Sequence, residues 1–282
     1  MPLYREFATQ QELDRQYDNV AAVPDSGAVV AGWAERSARA RRGTDCRLGV
    51  RFGPTRTEHL DVFPAGLGAP VHLFVHGGYW RRFAAADFSF VAPPLVEAGT
   101  AAVVANYALC PDVTMDEIVR QVRAAVAWTW ANAASFGGNR DRVTLSGHSA
   151  GGHLVAMALL TDWEADYDLP ADVIKAALPI SGLFDLAPFP YTYLQPALQL
   201  TWGQVRRLSP AGLALPASAP RLDVVAGADE TDELRRQSRD FAALWRAKGL
   251  PGRHEEVAGA NHFTVLDVLA SRPGGLAAGL HD

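Results

Sequence analysis

Cysteine is nearly absent from this 282-residue chain: Cys46 and Cys110 are too few for a disulfide framework or a four-cysteine zinc site. A reducing compartment, the cytosol, is expected. Lysine is scarcer than the charge count suggests, with only Lys175 and Lys248 among 26 Lys+Arg, against 31 Asp+Glu and a net charge of −5. That sign does not suit a surface that gathers phosphates, so nucleic acid is not an expected partner. No apolar run approaches the roughly 18–20 residues that a membrane helix needs. The first segment, with Arg5, Glu6, Glu12, Asp14 and Arg15, holds no signal-peptide core. Repeats and low-complexity tracts are also missing. What is present, 49 % hydrophobic residues with 25 Gly and 18 Pro, describes an ordinary soluble globule of one or two domains.

Residues 9–42 read as helical pieces broken near Val23–Gly27 by Pro24 and Gly27, an N-terminal arm within residues 1–45. Beyond Cys46, short apolar or alternating runs predict strands at His59–Phe63, Val71–His76, Thr100–Ala105, Arg142–Ser146, Ala176–Ser181, Leu222–Gly227 and His254–Val257. Helices are expected between them. Thr114–Ser135 opens on a Thr-x-x-Glu capping box and carries Val119, Val122, Val126 and Trp130 on one stripe. Ser149–Leu160 and Thr231–Lys248 follow, the latter stopped by Gly249. The alternation implies an α/β fold, a mostly parallel central sheet with helices on both faces. Residues 186–215, rich in Pro and aromatics, are too long for a plain loop and are read as a small cap inserted into a single domain spanning 1–282.

The sharpest signal is Gly147-His148-Ser149-Ala150-Gly151, a Gly-x-Ser-x-Gly between a predicted strand and a predicted helix. A turn that tight needs small flanking residues and exposes the Ser149 hydroxyl at the sheet edge, beside the positive end of a helix. Upstream, His76-Gly77-Gly78-Tyr79-Trp80 also closes an apolar strand. Its glycines let the backbone approach closely, so the N–H groups of Gly77, Gly78 and Ala150 are candidates for an oxyanion hole. Taken alone, His-Gly-Gly would be an ordinary turn, and His76 suits a structural hydrogen bonder better than a catalyst.

Together the two motifs resemble the α/β-hydrolase superfamily, in the branch holding hormone-sensitive-lipase-like esterases and kynurenine formamidases. Asn106–Pro111, Ser181–Leu186 and Glu233–Ser238 look more like the formamidases, and the resemblance runs from about Tyr17 to Leu269. It implies a Ser–acid–His triad in that chain order. Ser149 is the nucleophile. His72 and His76 precede it, His148 and His153 share its elbow and helix, and His281 lies in the tail, which leaves His262 as base with His254 as competitor. The acid in similar sequences stands about three residues after a glycine such as Gly227, which points to Glu230, with Asp229 and Asp232 as alternatives. No cofactor or metal is implied.

The resemblance further implies a formamide substrate such as N-formyl-L-kynurenine, with a small-acyl carboxylesterase or amide/carbamate hydrolase as the alternative and a non-catalytic binding protein as a remote one. Tyr79 and Trp80, with Phe83, Phe184, Phe189, Tyr191, Tyr193 and Trp202, could build an aryl pocket. Arg81 or Arg82 could meet a carboxylate, or be solvated turn residues. The expected partner is a small-molecule substrate, with no nucleic acid and no membrane. Oligomeric state is not readable from the chain, and a homodimer is allowed.

Overall fold

The structure, a computed structural model, describes residues 2–267 and 269; His281, with the rest of the tail, lies outside the described residues. Eight strands form one sheet: β1 (Arg47–Arg51), β2 (His59–Phe63), β3 (Ala69–Val75), β4 (Ala101–Ala105), β5 (Gly138–His148), β6 (Ala176–Ile180), β7 (Arg221–Gly227) and β8 (Gly252–Val257). Their order is β1-β2-β4-β3-β5-β6-β7-β8. β2 runs antiparallel to β1 and to β4, and the pairs from β4 through β8 are parallel. This is the α/β-hydrolase architecture.

Seven of the eight strands are legible as apolar runs. The eighth, β1, is an edge strand whose residues are exposed or half-buried, so no hydrophobic pattern marks it. β5 also begins four residues earlier than Arg142, through the polar Asn139-Arg140-Asp141, because ladder hydrogen bonds and not burial extend it. In the sheet centre the apolar runs serve both faces. Leu73 and Val103 join one core and Phe74 and Val104 the other, so alternate side chains of each strand point into opposite helical layers.

The arm comprises α1 (Gln10–Tyr17), α2 (Asn19–Ala22) and α3 (Ser26–Gly43). After β3 come α4 (Ala92–Glu97) and, beyond β4, α5 (Met115–Asn132); α6 (Ala150–Leu159) and α7 (Trp163–Tyr167) follow β5. Between β6 and β7 lie α8 (Gln195–Leu198) and α9 (Trp202–Leu208), and α10 (Asp232–Ala247) joins β7 to β8. At the start of α5 only half of the expected capping box forms. Thr114 accepts from the Glu117 N–H at 3.4 Å, but the Glu117 carboxylate turns to Arg120 and Gln121, since a guanidinium is a stronger partner than a backbone N–H.

Tyr17 staples the arm to α10: its hydroxyl donates to Glu233 at 2.9 Å and accepts from Gln237 at 3.1 Å. Tyr4 donates to Asp185 at 2.7 Å. α3 instead sends Trp33 into the other core, among Phe83, Phe88, Phe90 and Phe263. The segment read as a cap packs Leu186, Phe189, Leu194, Val205 and Leu208 into the main core. No described helix is long and apolar enough to cross a membrane.

Candidate active site

β5 ends at His148 and α6 begins at Ala150, so Ser149 alone makes the turn. Its backbone sits at φ 56° and ψ −117°, a strained conformation for a residue with a Cβ. The elbow closes because Gly147 and Gly151 lack side chains: a Cβ on Gly151 would strike the Val75 carbonyl of β3, and one on Gly147 would strike the Gly151 carbonyl. The Ser149 N–H is tied to the Ile180 carbonyl at 2.8 Å. Ala150 is the first helical residue, so its N–H has no intrahelical acceptor and adds to the positive helix end beside Ser149.

The loop after β3 is pinned twice. Tyr107 Oη donates to the His76 carbonyl at 2.8 Å, and His76 Nδ1 donates to the Gly77 carbonyl, also at 2.8 Å. A trans peptide sets its N–H opposite its carbonyl, so these two bonds fix the directions of the Gly77 and Gly78 N–H groups. His76 is clamped between Tyr107, stacked at 4.1 Å, and Phe88 at 5.7 Å. Burial lowers its pKa to about 4 and pushes the Tyr107 hydroxyl well above its usual range, which keeps the ring neutral and the hydroxyl a donor. His76 is thus a structural hydrogen bonder.

His262 Nδ1 lies 2.8 Å from Glu230 Oε2. The other Glu230 oxygen accepts from the Ser181 hydroxyl and the Gly227 N–H, both at 2.5 Å. Of the three candidate acids only Glu230 makes such a contact; Asp229 is exposed, and Asp232 is 91 % exposed beside Arg235. His254 sits within β8 and is not part of the cleft that Ser149 and His262 both line. That cleft holds about 850 Å³, counted out to its open mouth. Among the described residues, no three His, Cys, Asp or Glu side chains converge as a metal site.

The expected substrate wall divides. Tyr79 lines the cleft, its hydroxyl donating to the Tyr17 carbonyl at 2.6 Å. Trp80 does not: φ 55° turns it inward, where it is fully buried against Phe189 and His153, with Nε1 donating to His153 Nδ1 at 3.2 Å. Phe83 lines the cleft as well. Phe184 stacks on Phe241 in the core, Tyr191 pairs with Trp202 away from the cleft, and of residues 186–215 only Tyr193 reaches it. The opposite wall comes from the arm, through Asn19, Val20, Val30 and Trp33.

Sequence reasoning missed Tyr107, Ser181, His148 and the arm residues. His148 Nε2 donates to the His262 carbonyl at 2.7 Å and so holds the loop that carries the candidate base; burial first, and His262 second, depress its pKa. A serine closing the apolar β6 run was the available sign for Ser181. The arm offered none, since its cleft residues lie on helices whose faces are fixed only by docking.

A family model described as BD-FAE matches residues 64–191. The chain is 33 % identical over 274 residues to the kynurenine formamidase of Salmo salar, covering 92 % of this chain and 91 % of that protein. It is 29 % identical over 247 residues to esterase LipQ of Mycobacterium tuberculosis, covering 79 % of this chain and 58 % of that one. A solved structure from Silicibacter sp. TM1040, described as a candidate thioesterase, matches with a TM-score of 0.82 at 29 % identity, over 96 % of this chain and 98 % of that one.

Proposed function

The chain belongs to the kynurenine formamidase family, a hydrolase of the α/β-hydrolase fold, and on that premise we propose that it cleaves an aryl formamide such as N-formyl-L-kynurenine to formate and the free aniline. The contact that carries this reading is that of Glu230 with Nδ1 of His262, whose ring lines the same cleft as the strained Ser149. With Nδ1–H committed to the carboxylate, Nε2 keeps its lone pair for the serine hydroxyl. Ser149 Oγ attacks the formyl carbon and His262 takes its proton. The oxyanion is met by the N–H groups of Gly77, Gly78 and Ala150. Collapse returns the proton to the aniline nitrogen, which leaves, and a formyl ester remains on Ser149. Water, activated by the same imidazole, releases formate. Glu230 fixes the tautomer and stabilises the imidazolium, and Tyr79 lies along the aryl side.

Ester hydrolysis by the same groups is the second reading, supported by the likeness to esterase LipQ. Steady-state kinetics on N-formyl-L-kynurenine and p-nitrophenyl acetate separate the two, the formamide being expected to give the higher kcat/KM. Ser149→Ala should lower turnover of either by at least about 10³-fold. Strong ester turnover with negligible formamide turnover would overturn the first reading. The single-domain reading and a cytosolic setting, which Cys46 and Cys110 as free thiols support, accompany this proposal.

A further inference from the structure

The cleft that Ser149 opens into is unusual in charge for a chain of net −5: Arg81 and Arg82 both line it, and among the described residues no Asp or Glu side chain does. Glu230 stands behind His262, outside the lining. The two arginines differ. Arg82 is exposed, its guanidinium 5.4 Å from the Phe83 ring. Arg81 is half-buried, with its guanidinium 5.7 Å from the Tyr193 ring and in hydrogen-bond contact with the Tyr193 side chain, while its buried Nε has no hydrogen-bond partner. Among the described residues Arg81 makes no ion pair. Two arm carboxylates that lie toward Tyr193 are engaged elsewhere: Asp14 accepts from the Tyr193 N–H at 2.7 Å and Asp18 from the Ala21 N–H at 3.0 Å. A guanidinium held in an aromatic wall with an N–H left unsatisfied presents a planar, forked donor set, which a carboxylate matches with two hydrogen bonds.

We propose that Arg81 is an anion subsite that selects aryl substrates bearing a carboxylate on the leaving-group side, with Tyr79, Phe83 and Tyr193 flanking the ring. The inference rests on the formamidase reading for the bond cleaved, but not for the charge selected. Arg81 is therefore a specificity residue, and Arg82, in water, is not.

The test measures the ratio of kcat/KM for a carboxylated substrate to that for an uncharged one, in two pairs: N-formyl-L-kynurenine against formanilide, and 4-acetoxybenzoate against phenyl acetate. Arg81→Gln is expected to lower both ratios about 10- to 100-fold, mainly through KM, as loss of a hydrogen bond to a charged group implies. Arg81→Lys should restore part of the ratio, and Arg82→Gln should change it less than about threefold. An unchanged ratio in Arg81→Gln, or an equal change in Arg82→Gln, overturns the subsite. If the enzyme turns over the esters and not the formamides, the formamidase reading fails, and a ratio that falls in the ester pair still supports the subsite.

Discussion

Replacing Tyr107 by Phe removes one oxygen and keeps the ring stacked at 4.1 Å on His76. The lost hydroxyl is the donor that holds the His76 carbonyl at 2.8 Å, and through that peptide the Gly77 N–H. Deleting an oxyanion donor outright costs about 10²–10³ in kcat. Here the donor survives and the next peptide stays held by His76 Nδ1, so a smaller fall is expected, about 10-fold in kcat. KM should hardly move, because the oxyanion exists only on the way to the tetrahedral intermediate. The buried carbonyl, left without its donor, should cost about 1–2 kcal/mol of stability. For a chain of this size that is a drop of roughly 2–6 °C in Tm. Initial rates on N-formyl-L-kynurenine at 25 °C, well below the transition, separate the two effects, and calorimetry gives the second. If Tm falls while kcat stays within about twofold of wild type, the pinned loop is not what orients the oxyanion donors, and the argument from the peptide planes is refuted.

The choice of acid yields a direct contrast: Glu230→Gln should lower kcat by about 10³–10⁴-fold through the wrong imidazole tautomer, and Asp229→Asn by less than about threefold. Comparable losses in the two variants would remove Glu230 from its role. Acid should also unfold the protein early. Burial holds His76 and His153 neutral, each with a pKa of about 4 against an ordinary 6.5, so the unfolded chain takes up protons first. Stability present above pH 6.5 is then lost as pH falls toward 4, and at pH 5 the two sites together cost about 4 kcal/mol. Urea midpoints at pH 7.5 and pH 5.0 measure this, and an unchanged midpoint would contradict it.

Much of the site was legible because its geometry is enforced over a few consecutive residues. Gly147 and Gly151 are demanded by the turn around Ser149, and two glycines after an apolar strand mark a close backbone approach, so both motifs stand out without neighbours in space. The acid was less legible. Asp229, Glu230 and Asp232 are chemically alike in the sequence, and the contact that distinguishes Glu230, its carboxylate held by Gly227 and Ser181 against His262, exists only in the folded chain. Trp80 shows the opposite failure: its place beside the His-Gly-Gly loop suggested a substrate wall, but a positive φ turns the indole into the core.

The sequence by itself determined the strand–elbow–helix unit and the mostly parallel sheet, because local sterics and hydrophobic periodicity encode them; the expected order of serine, acid and histidine came from the family resemblance alone. Tertiary structure alone decided which walls face the serine. The aromatic cap candidates Phe184 and Phe189 went into the core, while the arm, whose polar helices carry no motif, was brought by the Tyr17 and Trp33 anchors to close the cleft. It also separated Arg81 from Arg82. Adjacent residues on a turn point in different directions, and burial, which no window of sequence contains, gives only one of them a half-buried guanidinium whose Nε is left without a hydrogen-bond partner.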